Sequence, residues 1–280
     1  MSKKYDLHSH STASDGTLTP TELLNHAASQ GVDVLALTDH DTVAGLAEAR
    51  SAAAEQGIEL INGIELSVTW NKRTLHVVAL GIDPEYAPLC AGLKKIQEFR
   101  QWRGEEIARR LEKKANIPGA LEGAMELAKG GLLSRTHFAQ FLLANGHVKG
   151  MQDAFTRYLK HGKAGYVSSE WTDFQQGMQW IQEAGGQAVL AHPARYDMTA
   201  TKLRHFLDDF KDAGGVAMEV VSGSHSRNDA FSMANLAKRF DLLASVGSDY
   251  HGPENRWVEL GRLAELPDGC TPIWHNWHEQ

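Results

Sequence analysis

The feature that most restricts the fold of this chain is an alternation of short apolar runs with longer stretches of helical patterning along most of its length. Such a rhythm favours a parallel sheet wrapped by helices, because a crossover helix is the usual way to carry a chain back to the start of the next parallel strand. Candidate strands are residues 5–10, 32–38, 59–64, 75–81, 187–191, 216–221 and 243–247. Thr19 is placed to cap the first helix, with Pro20 at its first position and Glu22 closing a capping box, and the helix is expected to run to Gly31. A second helix is expected to begin near Thr42 and stop at Gly57, a residue suited to a left-handed cap. Later helices are expected over 174–184, 202–213 and 229–239.

From about residue 100 to 165 the rhythm breaks into helical patterning punctuated by glycine and proline. The expected organisation is therefore a barrel made of residues 1–99 and 166–280, interrupted by a helical insertion over 100–165. That insertion holds Arg103, Arg109, Arg110, Lys113, Lys114, Arg135, Lys149, Arg157, Lys160 and Lys163, which read mostly as a solvated helix face. No apolar run approaches the roughly 20 residues that span a bilayer. The N-terminal residues lack a signal-peptide block, so a soluble cytoplasmic protein is expected, with no membrane association. Cys90 and Cys270 form no paired motif, which removes disulfide frameworks and thiolate metal sites. A formal charge of −7 argues against a protein that coats nucleic acid, although a local cluster of cations can reverse that sign in a pocket.

Chemistry-bearing side chains fall at the expected strand ends. His8 and His10 share one face of the first strand, a pairing that is weak by itself. Asp39 and His40 follow the second apolar run, Glu65 the third, His192 the run 188–191, and Asp249 with His251 the run 244–247, while His76 lies within a strand. Ligands gather at the carboxyl ends of parallel strands because the loops there converge on one mouth, and scattered structural histidines have no reason to choose such places.

These segments, D-L-H-S-H-S-T-A-S-D-G (6–16), L-T-D-H-D-T (37–42), G-I-E (63–65), A-H-P (191–193) and G-S-D-Y-H-G (247–252), resemble the polymerase-and-histidinol-phosphatase (PHP) family. The resemblance implies a distorted (β/α)7, TIM-like barrel and a trinuclear centre. By similarity, His8, His10, Glu65 and Asp249 would hold a first metal, Glu65, His76 and His192 a second, and Asp15, His40 and His251 a third. Imidazoles and carboxylates without thiolates suit manganese, iron or zinc. The family makes three divalent cations, manganese first, the expectation. Asp39 is expected either to orient a ligand imidazole or to cap a helix, Glu219 is open between a ligand-orienting and a structural role in the same way, and Asp41 has no assigned role as a ligand.

Two metals close together can activate a bridging water for in-line attack on phosphorus, so hydrolysis without a covalent enzyme intermediate is expected. A metal-bridging hydroxide oriented by Glu65 is the expected nucleophile; His225, at a strand end, reads either as a group that donates a hydrogen bond to a phosphate or protonates the leaving group, or as a loop histidine. Arg135 offers a planar fork to a phosphate, although Ser134 to His137 also reads as a helix cap followed by ordinary helix residues. The stretch 133–167 resembles the insertion of a PHP subgroup acting on nucleotides, which often carries Gly and Pro where this chain has Ser134 and Thr136. The resemblance thus implies a 3',5'-nucleoside bisphosphate phosphatase, with Arg135, and His137, Lys160 or Lys163 beside it, anchoring the second phosphate. The alternatives are a 5'-3' exonuclease on short RNA, a histidinol phosphate phosphatase, and a non-catalytic metal-binding scaffold. The expected partner is a small phosphorylated nucleotide or short RNA; no protein partner is implied.

Overall fold

A computed structural model describes residues 3–277; residues 1–2 and 278–280, which the sequence reading assigns to the barrel, lie outside the described residues. The strands β1 (Tyr5–Asp6), β2 (Val34–Leu37), β3 (Glu59–Trp70), β4 (Arg73–Leu80), β6 (Gln187–Leu190), β7 (Ala217–Ser222) and β8 (Leu243–Gly247) follow one another in space in that order, and a short β5 (Thr172–Asp173) pairs with β3. The ring approaches closure where the Leu7 N–H donates to Val246 O at 3.1 Å and the His10 N–H to Tyr250 O at 2.9 Å. The fold is a mixed α/β, barrel-like sheet, as expected, with one difference in direction. β4 runs antiparallel to both β3 and β6. The cause is local. β3 does not stop at residue 64 but continues to Trp70, and Asn71 and Lys72, with φ of 46° and 63°, turn it directly into β4. A two-residue loop with both φ positive matches the right-handed twist of a hairpin, so no crossover helix is needed.

Side chains obey the period of two. Val34 and Ala36 point into the barrel with Leu7, Val78, Leu80, Val189 and Ala217. Leu35 and Leu37 point outward onto α1 (Pro20–Ser29) and α2 (Leu46–Gln56) through Leu23, Leu24, Ala49 and Ala53. Across the barrel, Ile64, Leu66, Val77 and Ala79 pack outward with Phe174, Met178, Phe206 and Phe210 of α7 (Phe174–Glu183) and α8 (Ala200–Asp212). The barrel floor is plugged by Ile273, fully buried, and by Trp274 stacked on Tyr5 at 4.3 Å. Filling the floor with apolar side chains leaves the opposite end, where the strand-end donors gather, as the open mouth.

Thr19 forms the expected capping box with Glu22, and Gly57 takes the left-handed cap at φ 69°. α1 ends at Ser29 rather than Gly31, and α2 starts at Leu46 rather than near Thr42. The delay has a reason: Asp41 has φ 50°, and the Thr42 hydroxyl takes the Ala44 N–H at 3.1 Å, which occupies this segment in a turn. The strand expected over 5–10 forms a ladder only at Tyr5–Asp6, because beyond it the chain divides its hydrogen bonds between Thr38 and Tyr250.

α3 (Ala87–Ala115) is continuous through residue 100. Its first half contributes Leu89, Leu93 and Ile96 to the barrel's outer core. Its second half joins a separate core of Ile107, Leu111, Phe138, Leu142 and Leu159, built with α4 (Ala120–Ala128), α5 (Arg135–Ala144) and α6 (Met151–Ala154), which leads into a π-helical turn. This helical unit touches the mouth: the Leu132 N–H donates to Ala13 O, and a Cβ on Gly131 would lie 2.1 Å from Thr12 O. No helix of the described residues is long and apolar enough to cross a membrane.

Candidate metal centre

At the mouth, His8 Nε2 and His10 Nε2 lie 3.0 Å apart, with Glu65 Oε2 at 3.2 and 3.3 Å and Asp249 Oδ1 at 3.5 and 3.2 Å from them. Around an ion bonded at about 2.1 Å, adjacent donors stand about 3.0 Å apart in octahedral and about 3.4 Å apart in tetrahedral coordination. The four atoms therefore fit one cation. The other oxygen of the same carboxylate, Glu65 Oε1, faces His76 Nδ1 at 2.8 Å and His192 Nε2 at 2.9 Å. His40 reaches across, Nδ1 at 3.0 Å from Glu65 Oε2 and Nε2 at 3.9 Å from Asp15 Oδ1, and His251 Nε2 is 3.4 Å from that Asp15 oxygen. His10 joins the Asp15, His40 and His251 group, and His40, Glu65 and His76 form a third. Glu65 thus meets His8, His10, His40, His76 and His192, because β3 continues through it and fixes it mid-strand.

Several of these buried atoms, among them His10 Nδ1, Asp15 Oδ1, Glu65 Oε2 and His192 Nδ1, have no hydrogen-bond partner in the protein. Buried polar atoms are ordinarily satisfied, so convergent orphans of this chemistry fit divalent cations. Burial would raise the pKa values of Glu65 and Asp249, but His40, His76 and His8 around the first, and His8, His10 and His251 around the second, hold both well below the ordinary carboxylate range. Burial lowers His40 and His192, which favours the neutral imidazole that binds metal. His192 and Asp249 also hold left-handed backbone, φ 31° and 56°.

Acidic side chains beneath the cage hold it. Glu219 accepts from His8 Nδ1 at 2.5 Å and from the His192 N–H at 2.6 Å. A carboxylate only accepts, so His8 carries its proton on Nδ1 and turns its Nε2 lone pair to the cage. Glu219 reaches this position because β7 is bulged between Glu219 and Val221: Ala217 and Glu219 face inward, after which Val220 and Val221 both face outward. Asp39 neither orients an imidazole nor caps a helix. It accepts from the Ser11 N–H, Ser11 Oγ and Ser14 Oγ at 2.8, 2.7 and 2.6 Å, tying down the loop that carries Asp15. Asp41 accepts from the Ser67 N–H at 2.7 Å and from Arg100 Nε at 2.8 Å.

The cage opens into a cavity of about 330 Å³. Asp15, His40, Glu65, His76, His192, Asp249 and His251 line it together with Arg100, Arg103, Arg135, Phe155 and Trp171. Arg135 belongs to this lining. Ser134 caps α5 by accepting the Thr136 N–H at 3.0 Å, and its hydroxyl donates to Asp15 Oδ2 at 3.1 Å. His137 lies behind, fully buried, its Nδ1 accepting the Ser134 N–H at 3.2 Å; this is the capping role, not a wall of the cavity. Lys160 and Lys163 are exposed and do not line the cavity. Neither does His225, whose Nδ1 lies 3.2 Å from Val220 O.

Arg103 corrects the reading of a solvated helix face: it is 5% exposed. Ile96, Arg100, Arg103 and Ile107 recur at helical spacing on the buried side of α3, a signal that its charge obscured. Arg195 was also missed. It donates from Nη1 to Asp249 Oδ2 at 2.5 Å.

A family model described as PHP domain matches residues 6–172. A protein of Chromobacterium violaceum named 3',5'-nucleoside bisphosphate phosphatase is 48% identical over 96% of this chain and 94% of its own length. A protein of Haemophilus influenzae named 5'-3' exoribonuclease is 47% identical over 98% of this chain and 99% of its own length. Among solved structures, that of an amidohydrolase from Chromobacterium violaceum with bound sulfate and no metal is similar with a TM-score of 0.93 at 48% identity, covering 98% of this chain and 95% of the other.

Proposed function

This chain belongs to the PHP domain family, and from that premise we propose that it is a metal-dependent phosphoesterase releasing the 3'-phosphate of nucleoside 3',5'-bisphosphates. The observation that carries the reading is that one cavity is lined both by a cage of His, Asp and Glu donors and by Arg135. A metal-binding cage and a guanidinium in one cavity suit the two phosphates of such a substrate.

His8, His10, Glu65 and Asp249 would hold a first cation, Glu65, His76 and His192 a second, and Asp15, His40 and His251 a third, with manganese the first choice and iron or zinc the alternatives. Bound there, divalent cations supply Lewis acidity and lower the pKa of water. The chain's own part is positional. Glu65 offers one oxygen to each of two donor groups, and Glu219 fixes the tautomer of His8. Ser134 holds Asp15 against α5, so the helical stretch 100–165, which caps the site in this reading, is hydrogen-bonded to it. Water adds across the P–O3' bond, giving nucleoside 5'-monophosphate and phosphate without a phosphorylated side chain.

A second reading, 5'-3' hydrolysis of short RNA, is favoured by the similarity to the exoribonuclease over nearly the whole chain, and the bond broken is again a 3' phosphoester. Both are tested by phosphate or nucleotide release from a 3',5'-bisphosphate, a 5'-phosphorylated short RNA and histidinol phosphate, with and without manganese. Manganese-dependent turnover of the first is expected. No release from any substrate would leave only a metal-binding scaffold.

A further inference from the structure

The loop after β8 carries a tryptophan that the rest of the fold leaves uncovered. Trp257 is 95% exposed, more than any other large apolar side chain of the described residues. Its loop is nevertheless held. The Thr17 N–H donates to His251 O at 2.7 Å, and the Thr17 hydroxyl donates to Glu254 Oε2 at 2.8 Å. The Asn255 N–H donates to Gly252 O at 3.4 Å and the Val258 N–H to Asn255 O at 3.1 Å, so successive turns fold the segment back on itself. Val258 then packs beside Gly223, where an added Cβ would lie 3.1 Å from Val258 Cγ1 and 2.0 Å from Ser248 O. Both ends of the loop are therefore fixed where β7 and β8 finish, next to His251 of the cavity lining. Arg256 beside Trp257 is exposed, and so is Arg227 at the start of α9 (Arg227–Arg239), 5.7 Å from the ring centre of the exposed Phe231.

The helical stretch 100–165 leaves this part of the rim open. It is hydrogen-bonded to Ala13 and Asp15 after β1, to Asp41 after β2 and to Ser67 on β3, whereas the turns after β6, β7 and β8 take no hydrogen bond from it among the described residues. A strand continuing beyond the donor cage therefore has its free way out over those turns. Every base has an aromatic face that stacks on an indole whatever its sequence, and arginines beside the ring suit the phosphates between bases. We propose that Trp257 is the stacking platform for the nucleotide on the 3' side of the scissile phosphate, and that it favours short 5'-phosphorylated RNA over a nucleoside bisphosphate. The inference rests on the oligonucleotide reading of the same cavity. A bisphosphate ends at its 3'-phosphate and has no base to lay on the ring, whereas an oligonucleotide has one. Trp257 is thus a specificity-determining residue outside the donor cage, and it acts on binding of the leaving strand rather than on the attack at phosphorus.

The test compares wild type, Trp257→Ala and Trp257→Phe, all loaded with manganese, on three substrates: a nucleoside 3',5'-bisphosphate, a 5'-phosphorylated RNA trinucleotide, and the same trinucleotide with its second nucleotide abasic. Wild type is expected to prefer the complete trinucleotide to the abasic one by about 5- to 100-fold in kcat/KM, the scale of one stacked base. Trp257→Ala is expected to lose that preference through a raised KM on the complete trinucleotide, to leave kcat unchanged, and to hold bisphosphate turnover within about 2-fold; Trp257→Phe should keep part of the preference. A preference that survives Trp257→Ala, or an equal loss on bisphosphate and trinucleotide, would overturn the assignment. So would a wild-type dimer that Trp257→Ala converts to monomer in light scattering, because the ring would then face a second copy of the chain. Wild type that hydrolyses the bisphosphate but neither trinucleotide would remove the oligonucleotide reading and the platform with it. Wild type inert on all three would instead remove the phosphoesterase reading beneath both.

Discussion

Replacing Glu219 should weaken metal binding without altering a single proposed ligand. Its carboxylate accepts two short bonds, from His8 Nδ1 at 2.5 Å and from the His192 N–H at 2.6 Å, and Glu219 is 1% exposed. Glu219→Ala strands both donors in a buried site. At about 1 to 3 kcal/mol for each orphaned buried group, the native state loses roughly 2 to 6 kcal/mol, and His8 is freed to rotate. Glu219→Gln is more informative because it preserves volume. If its amide oxygen faces the His192 N–H, its NH2 faces His8 Nδ1 and favours the tautomer protonated on Nε2, which removes that atom as a donor; the reverse orientation sets NH2 against N–H. Either way affinity for the first cation is expected to fall by about 10- to 100-fold, the range for losing an outer partner of a ligand histidine. Calorimetric titration of chelator-treated protein with manganese reads this directly. Affinity of Glu219→Gln within about 2-fold of wild type would refute the tautomer argument.

Exhaustive chelation should abolish phosphate release, and manganese should restore it; undiminished turnover after chelation, with elemental analysis confirming removal, would sink the metal reading. Arg100→Ala leaves Asp41 buried and unpaired, so stability should fall by about 3 to 5 kcal/mol in urea denaturation, whereas a change under 1 kcal/mol would show that the pair is dispensable. Ile273→Ala opens the barrel floor and should cost about 2 to 5 kcal/mol while leaving KM unchanged, since Ile273 lies in the core on the far side from the donors; a raised KM would show that floor and mouth are coupled.

Most of the cage was legible because its residues stand where strands end, a placement visible as short apolar runs followed by His, Asp or Glu. The hairpin was hidden for a physical reason. Asn71 and Lys72 supply the positive φ values without glycine, and the β3 run carries polar Glu65 and Ser67 on its inward face, where a cavity rather than a core receives them. Glu219 sits on an apolar strand as an isolated charge, and the bulge that turns it toward His8 has no sequence signature. Arg103 shows the opposite failure. Charge reads as solvent exposure, yet its spacing from Ile96 and Ile107 belongs to the buried side. The resemblance of the insertion put Lys160 or Lys163 beside Arg135, but a π-helical turn and the loop after it leave them exposed.

The hairpin also bears on how the centre assembles. Glu65 and His76 are 11 residues apart and meet across a two-residue loop, a contact of the kind that forms in microseconds, whereas Glu65 and His192 are 127 apart and His8 and Glu219 are 211 apart. A nascent or partly unfolded chain therefore presents one carboxylate and one imidazole at close range, a poor chelator. Full affinity belongs to the finished ring, so each cation rewards only that state and raises its population by mass action. Loss of metal in the cell would then register first as a larger population of reopened ring, and proteolytic susceptibility would track metal supply.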